Sequence, residues 1–379
     1  MHKNILYLLS SFLLIAVLIA CDKVPDDLPA PIGEGVRAIV VNEGLFTTNT
    51  AALSLIYTNG NVDWGIFQTV NNRPLGDVAQ SLTYINGYYF LAINNSKKIE
   101  IVDPKTFTSV GTILYEEAGS PRFIAPINDS VAVVSDLRGQ LVKIRTKPPY
   151  KTIEYLKLPT KQTGIEKLAV AGNKLFGVYF SKGLAVFDCD RVTINDMRYI
   201  PDVKVGENSK TAKMITDANG KLWVMTSEQD QLVWNCIDPA TEKVERKVEI
   251  PYIKEDAKSG DIVGMPNYNR VDVNPTRTKI YFNLMRATQD SGEQDKMQAV
   301  YRLDVNTHQY EPYLDLPGVE MMYGMGVSPD GEVWICDCLD YSAQRGYVRV
   351  YRPQGGIATS YRVGVYPRMV YFPNEELKR

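Results

Sequence analysis

The sequence predicts an all-β fold, a seven-bladed β-propeller. One unit recurs about seven times at a spacing of about 40 residues, the length of a propeller blade. Each unit joins an apolar stretch, a turn of Asn, Asp, Gly or Pro, a strand of β-branched and aromatic residues, a polar loop and a further strand. The two ends of the chain supply complementary parts of one unit, which predicts a closed ring.

Within each unit, the first two strands are joined by a turn whose residues accept positive φ or favour a type I turn. In chain order these turns are Asn86-Gly87, Asn128-Asp129, Gly172-Asn173, Asn219-Gly220, Asn274-Pro275-Thr276 and Pro329-Asp330-Gly331. Val, Ile, Leu and aromatic residues dominate the second strands, which are predicted over 88–93, 131–134, 174–179, 221–225, 279–282 and 332–336. Third strands end on turns such as Asp103-Pro104-Lys105-Thr106. Each unit is therefore predicted to be a four-stranded meander.

The chain begins and ends on different parts of the unit. The first strand pattern of the predicted ring, 37–41, corresponds to a second strand. The C-terminal Tyr366-Pro367-Arg368-Met369-Val370 corresponds to a first strand and is similar to Ser120-Pro121-Arg122-Phe123. We therefore expect the C-terminal strand to complete the N-terminal blade and to leave no open sheet edge. The predicted propeller spans 36–373, and a short tail spans 374–379.

Residues 1–20 are predicted to be a signal peptide. His2 and Lys3 precede an apolar run over 5–19, which is short for a membrane span. Leu18-Ile19-Ala20-Cys21 resembles the bacterial lipobox, so Cys21 is predicted to be acylated and to anchor the protein to the outer membrane. An ordinary signal peptide with an incidental cysteine is the alternative. Segment 21–35 is polar and Pro-rich, as expected of a lipidated tether. Its acidic residues resemble the signal that sends lipoproteins of Bacteroidetes-type bacteria to the cell surface.

Composition argues against several function classes. The 42 basic and 44 acidic residues nearly cancel, so nucleic acid is not an expected partner. Only two histidines occur, and His2 lies in the predicted signal peptide, which argues against Ser-His-Asp or Cys-His catalysis and against His-built metal centres. Cys336 and Cys338 alternate at the end of a strand pattern and are predicted to pack as small hydrophobic residues. We expect no metal and no cofactor.

The predicted ligand-binding face is the end of the ring where the second-to-third-strand loops and the blade-to-blade loops meet. Amide, guanidinium and aromatic groups around a concave mouth suit a large polar ligand, although polar loops occur on any protein surface. The first set of loops supplies the candidates Asn42, Glu43, Asn94, Asn95, Lys97, Asp136, Arg138, Lys182, Gln229, Asp230, Arg286, Asp337 and Tyr341. The blade-to-blade loops supply Asp77, Gln80, Arg122, Tyr268, Tyr323 and Arg368.

Several segments carry a family resemblance. They are Val41-Asn42-Glu43-Gly44-Leu45-Phe46, Ala52-Leu53-Ser54-Leu55-Ile56-Tyr57, Leu75-Gly76-Asp77-Val78-Ala79-Gln80-Ser81 and Asn94-Asn95-Ser96-Lys97-Lys98-Ile99-Glu100. The chain resembles the YVTN-type propeller lipoproteins of Bacteroidetes. Within that group it is similar to the surface lipoproteins that capture vitamin B12 and related corrinoids above a TonB-dependent outer-membrane transporter.

The resemblance implies a non-enzymatic surface protein that binds a corrinoid and passes it to such a transporter. Two alternatives from other classes remain open. A glycan- or peptide-binding propeller would use Trp and Tyr platforms on the same face. A hydrolase or lyase would need paired carboxylates, for which Asp136, Asp230 and Asp337 are the candidates.

Overall fold

The structure, a computed structural model, describes residues 35–159, 164–179, 182–205, 213–228, 230–267, 270–289, 296–319, 321–342, 344–353 and 355–373. The predicted signal peptide, Cys21, nearly all of the tether and the C-terminal tail lie outside these residues. The strands of the described residues form seven antiparallel sheets, the blades of a β-propeller. The predicted fold class is confirmed.

The blades follow the chain in order. Blade 1 holds β1 (Val36–Asn42), β2 (Ala52–Tyr57), β3 (Val62–Asp63) and the C-terminal β29 (Pro367–Tyr371). Blade 2 holds β4 (Ala79–Ile85), β5 (Tyr88–Ile93), β6 (Lys98–Val102) and β7 (Ser109–Leu114), and blade 3 holds β8 (Pro121–Pro126), β9 (Val131–Asp136), β10 (Gln140–Arg145) and β11 (Lys151–Lys157). Blade 4 holds β12 (Ile165–Ala171), β13 (Lys174–Tyr179), β14 (Gly183–Asp188) and β15 (Arg198–Ile200).

The remaining blades include one irregular sheet. Blade 5 holds β16 (Lys213–Thr216), β17 (Leu222–Ser227), β18 (Gln231–Asp238) and β19 (Lys243–Pro251). Blade 6 has five strands, because β20 (Ile262–Gly264) and β21 (Val271–Val273) both pair with β22 (Lys279–Ala287). Its outer strands are β23 (Lys296–Asp304) and β24 (Tyr310–Asp315). Blade 7 holds β25 (Met322–Val327), β26 (Val333–Asp337), β27 (Arg345–Tyr351) and β28 (Ile357–Val365). One short helix, α1 (Ile66–Asn71), joins blades 1 and 2, and 3-10 turns lie at Cys189–Arg191 and Ile194–Asp196. No helix of the described residues is long and apolar enough to cross a membrane.

The C-terminal strand closes the ring. β29 is the innermost strand of blade 1 and pairs antiparallel with β1, with Ile39 opposite Tyr371 and Val41 opposite Met369. The predicted closure is therefore confirmed. A glycine on β25 permits this arrangement, because a Cβ at Gly324 would lie 2.2 Å from the carbonyl oxygen of Arg368. Any larger residue there would push β29 away from blade 7.

The apolar core lies between neighbouring blades. Trp234 of blade 5 meets Phe282 of blade 6 edge-on, with ring centroids 5.5 Å apart. Trp334 of blade 7 meets Phe372, which follows β29, at 5.3 Å. Burial of each such side chain contributes about 1.5–3 kcal/mol or more. The blades are therefore held together mainly by packing, because the strand pairing runs within each sheet and only isolated backbone hydrogen bonds, such as that from Ala218 N–H to the carbonyl oxygen of Arg277, join neighbouring blades.

A single carboxylate is fully buried inside blade 2. Glu100 accepts hydrogen bonds from Arg73 (2.7 Å), Lys98 (2.7 Å) and Thr112 (3.0 Å), and also from Ser109 (2.5 Å). Burial favours the protonated form, but the hydrogen bonds from Arg73, Lys98 and Ser109 outweigh it and hold the pKa of Glu100 below its usual range. The charged form is therefore part of the folded structure.

Candidate functional site

The inner edge of every blade presents one large polar side chain near the start of its innermost strand. In β4, β8, β12, β25 and β29 the pairing with the second strand shifts register at this position. Such a bulge bends the strand and re-aims the side chain. The seven residues, here called the channel ring, are Gln80, Arg122, Glu166, Lys213, Arg270, Tyr323 and Arg368.

A cavity of about 320 Å³ lies in the central channel. This volume is at the lower end of the range found for small-molecule sites, about 300–1,000 Å³. All of the channel ring except Arg122 lines the cavity directly. Its other lining residues include the polar Ser81, Thr83, Lys167 and Asp272 and the apolar Phe123, Met214, Met325 and Met369.

Two ion pairs connect the ring to further charges. Arg122 donates to Glu166 across blades 3 and 4. Arg368 Nη1 donates to Glu43 Oε2 at 2.6 Å, and the hydroxyl of Tyr323 donates to the same oxygen at 3.0 Å. Burial disfavours ionisation of Glu166, but the charge of Arg122 outweighs this and lowers its pKa to about 2. Both carboxylates are thus fixed in place by an arginine.

Three more cations stand on consecutive blades 4, 5 and 6. The ammonium group of Lys167 lies 3.8 Å from the centre of the Phe123 ring. Burial, followed by the charges of Lys167 and Arg270, lowers the pKa of Lys213 to about 7. Burial and the charge of Arg368 likewise lower the pKa of Lys167 to about 8 and that of Arg270 to about 10. These groups line the cavity yet are surrounded by protein, so their charges repel one another with little screening.

The side-chain amide of Gln80 is buried beside the cavity. It is 1% exposed, and neither its amide nitrogen nor its carbonyl oxygen has a hydrogen-bond partner among the described residues. An unpaired buried amide costs about 1–3 kcal/mol. A bound molecule that paired with this amide would recover that free energy.

The structure brings five of the predicted residues to the channel: Glu43, Gln80, Arg122, Tyr323 and Arg368. Four others hold loops at the predicted face. Asn95 Nδ2 donates to Asp77 Oδ2 at 2.6 Å. Asn42, fully buried, donates to a serine hydroxyl of β2 at 2.9 Å, and Asn94 donates to a backbone carbonyl at the start of β8 at 3.2 Å.

Asp136 and Asp337 occupy equivalent positions, at the ends of the second strands of blades 3 and 7. Both are fully buried. Asp136 accepts two backbone N–H groups, each at 2.7 Å, and burial raises its pKa despite these bonds. Asp337 accepts from Arg349 Nη2 at 2.8 Å. Their contacts fix the loops that follow the strands, and neither aspartate lines the channel cavity.

Six other predicted residues lie away from the cavity. Arg286 pairs with Asp315 at 3.1 Å, and Asp230 pairs with Lys254. Tyr341 is 67% exposed beside a separate cleft. Lys97, Arg138 and Lys182 are exposed, whereas Gln229 and Tyr268 lie outside the described residues.

Sequence reasoning missed Glu166, Lys167, Lys213, Arg270 and Asp272. The predicted candidates came from the loops between strands. These five residues instead lie near the start of an innermost strand or directly before it. The available signal was a charged residue near the start of five of the seven first strands, as in Ile165-Glu166-Lys167-Leu168.

Charged and hydrogen-bonding side chains line the channel. Burial and the charge of Glu43 raise the pKa of Tyr323 to about 12, so its hydroxyl keeps its proton. Among the described residues, no group of three or more His, Cys, Asp or Glu side chains is placed to hold a metal ion. Trp223, Trp234 and Trp334 are fully buried and offer no stacking platform; Trp64 is 53% exposed.

Cys336 and Cys338 are buried free thiols, as predicted from their alternate positions. Burial raises the pKa of both well above the usual thiol value. Both therefore pack as small hydrophobic groups and are poor nucleophiles.

The fold and the channel define a β-propeller with an enclosed polar site on its axis. The chain belongs to the family described as a domain of unknown function (DUF5074), whose sequence model matches residues 37–259. No curated protein matches it.

Two solved structures share the fold. A quinonprotein alcohol dehydrogenase-like protein from Bacteroides thetaiotaomicron is 12% identical with a TM-score of 0.62, covering 89% of this chain and 78% of that chain. Kuenenia stuttgartiensis hydrazine synthase is 13% identical with a TM-score of 0.56, covering 79% of this chain and 93% of that chain. At these identities the likeness concerns the fold alone.

Proposed function

We propose that this protein is a non-enzymatic binding protein that holds a small molecule in the channel. The main support for this proposal is the channel ring, in which each of the seven blades supplies a polar side chain near one cavity of about 320 Å³. The state of the carboxylates supports a role without catalysis. Glu43 and Glu166 each form an ion pair with an arginine, and Arg122 holds the pKa of Glu166 at about 2, so Glu166 is not poised to exchange a proton near neutral pH.

The proposal extends to location and partner. A lipidated Cys21 would anchor the protein to the outer membrane at the cell surface, and the ligand would pass from the channel mouth to a TonB-dependent transporter. Intact cells treated with protease should lose the propeller if it is exposed. Protection of the protein in intact cells would refute surface exposure, and an unchanged membrane fraction for Cys21→Ala would refute the lipid anchor.

A corrinoid is the first ligand to test. It is amide-fringed and carries one phosphate, which suits the amide and cationic groups of the channel ring. Its macrocycle is too broad for a 320 Å³ cavity, so it would lie across the mouth with one arm inside. Titration of the protein with cyanocobalamin in a calorimeter tests this directly, and absence of both heat and thermal stabilisation would remove the corrinoid.

The binding role itself is tested with Gln80→Leu. This change removes two polar atoms without protein partners while nearly preserving volume, so the melting temperature should stay equal or rise. Native mass spectrometry after incubation with a bacterial metabolite extract should show a bound mass on the wild type that Gln80→Leu retains weakly. Arg138→Gln, on an exposed loop at the same end, is the matched control. A wild type that carries no added mass, or equal loading of Gln80→Leu, would contradict the proposal.

A further inference from the structure

The part of the cavity wall that belongs to blade 2 is polar and uncharged. Gln80, Ser81 and Thr83 of β4 all line the cavity. The hydroxyl of Ser81 donates to the backbone carbonyl oxygen of Arg122 at 2.7 Å, and that of Thr83 donates to the carbonyl oxygen of Ile124 at 3.2 Å. Because both hydroxyl protons join β4 to β8, the remaining hydrogen-bonding group of this wall is the side-chain amide of Gln80.

Neighbouring side chains do not satisfy this amide. Arg368 Nε donates to the backbone carbonyl oxygen of Gln80 at 3.2 Å, whereas its Nη1 donates to Glu43 at 2.6 Å. Gln80 is 1% exposed, and neither its Nε2 nor its Oε1 has a hydrogen-bond partner among the described residues. One donor and one acceptor therefore stand unpaired, side by side on a planar group that lines the cavity.

Apolar side chains lie beside this amide. Met369 and Val370 follow Arg368 on β29, the strand that contacts Gln80, and both line the cavity together with Met325. Such carbon and sulfur surfaces pack well against the face of a planar ring. At about 30 Å³ per water-sized group, the cavity of about 320 Å³ holds roughly ten such groups, the size of a six-membered ring with one small substituent.

We infer, resting on the proposed binding function, that the bound molecule places a planar carboxamide group against Gln80. Its carbonyl oxygen accepts from Gln80 Nε2, and its N–H donates to Gln80 Oε1, so both unpaired atoms are satisfied by one group. A ketone or a carboxylate offers acceptors only and leaves Oε1 without a donor. A ketone of the same shape should therefore bind at least about tenfold more weakly, because a buried polar atom stays unpaired in its complex.

Nicotinamide, a carboxamide on a six-membered ring, is the probe, titrated into the protein in a calorimeter. 3-Acetylpyridine has nearly the same shape and is also uncharged, but a methyl group replaces its amide nitrogen. Nicotinamide should bind, and 3-acetylpyridine should bind at least about tenfold more weakly. This comparison uses the wild type alone, so it does not depend on the folding of a variant.

Gln80→Leu tests the assigned partner. The substitution should lower the affinity for nicotinamide to about that for 3-acetylpyridine, so that the preference disappears. Gln309→Leu is the matched control, because Gln309 is exposed on a turn and does not line the cavity, and it should keep the preference.

Peroxide oxidation, followed by mass spectrometry, tests where nicotinamide binds. Bound nicotinamide should slow the oxidation of Met214 and Met369, which line the cavity, but not that of Met265, which lines a separate cleft. Competition then distinguishes two sources of the carboxamide. If cyanocobalamin displaces nicotinamide, the amide arm of a corrinoid uses this site; a nicotinamide site that cyanocobalamin leaves occupied supports a free amide instead.

Several results would overturn the amide site: no binding of nicotinamide, equal affinity of the wild type for 3-acetylpyridine, an unchanged preference in Gln80→Leu, or equal oxidation of Met214 and Met369 with and without nicotinamide. The binding function is judged separately. If a metabolite from the extract binds to the wild type and more weakly to Gln80→Leu while nicotinamide does not bind, the binding function stands and the amide site falls. If neither binds, both fall.

Discussion

The substitution Phe372→Ala tests how strongly the closing strand holds the ring. Phe372 is 6% exposed and packs edge-on against Trp334. Truncation of a buried phenylalanine to alanine lowers the free energy of unfolding by about 3–5 kcal/mol. Because Phe372 lies near the end of the chain, where the structure can relax into the space left behind, we expect a loss of about 3 kcal/mol. At about 2.1 cal/mol/K per residue, roughly 340 residues unfold with an entropy near 0.7 kcal/mol/K. A loss of about 3 kcal/mol therefore corresponds to a fall of about 4 °C in melting temperature.

Differential scanning calorimetry of the propeller measures this change. Phe46→Ala is the matched control, because Phe46 is 62% exposed and its truncation should shift the melting temperature by less than about 1 °C. Deletion of the chain after Gly364 removes β29 as well, and the loss should be on the order of 10 kcal/mol. Equal melting temperatures for Phe372→Ala and Phe46→Ala would refute the packing argument. An unchanged melting temperature after the deletion would refute ring closure.

Three further predictions concern the interior of the blades. Glu100→Gln should lower the free energy of unfolding by about 1.5–3 kcal/mol at pH 7, because it removes the buried charge that accepts hydrogen bonds from the partly exposed Arg73 and Lys98. Since the folded pKa of Glu100 is depressed, the wild type should lose stability as pH falls through the acidic range, and urea titrations at pH 7 and pH 4 should show a smaller loss for the variant. Gly324→Ala should destabilise the ring by several kcal/mol in urea titrations, whereas Gly65→Ala, with open space around it, should change stability by less than about 1 kcal/mol. Cys336 and Cys338 should resist a thiol reagent in the native protein and react at once in denaturant; fast reaction of the native protein would contradict their burial.

The fold was predictable because its signals are local. The turn at Asn86-Gly87 shows why, since both residues have positive φ, 52° and 87°. Few residues other than Asn and Gly adopt such angles, so the sequence marks the hairpin directly. Ring closure was equally predictable, because a lone first-strand pattern at the C-terminus needs a second strand as its partner.

The site was harder to predict for a geometric reason. Within a strand, a shift of one residue turns every side chain to the other face. The channel side chains of β4, β8, β12, β25 and β29 lie at register shifts, whose positions depend on pairing with the neighbouring strand. The sequence alone therefore does not fix whether a charged residue at such a shift, for example Glu166, faces the channel or the neighbouring blade. The loop residues Asp136 and Asp337 attracted attention because they are charged, but their partners are backbone N–H groups and one arginine.

Ring closure and the channel site depend on the same strand. Arg368 of β29 donates to Glu43 at 2.6 Å and to the carbonyl oxygen of Gln80 at 3.2 Å, so it joins blade 1 to blade 2 inside the cavity. A ligand that needs this wall binds only the closed ring, and at a concentration of about 100 times its Kd it should add about 2.7 kcal/mol of stability. That gain is close to the loss expected for Phe372→Ala. A saturating concentration of any ligand that binds in the channel should therefore return the variant nearly to the melting temperature of the ligand-free wild type. Failure to do so while the ligand still binds would show that binding does not depend on ring closure.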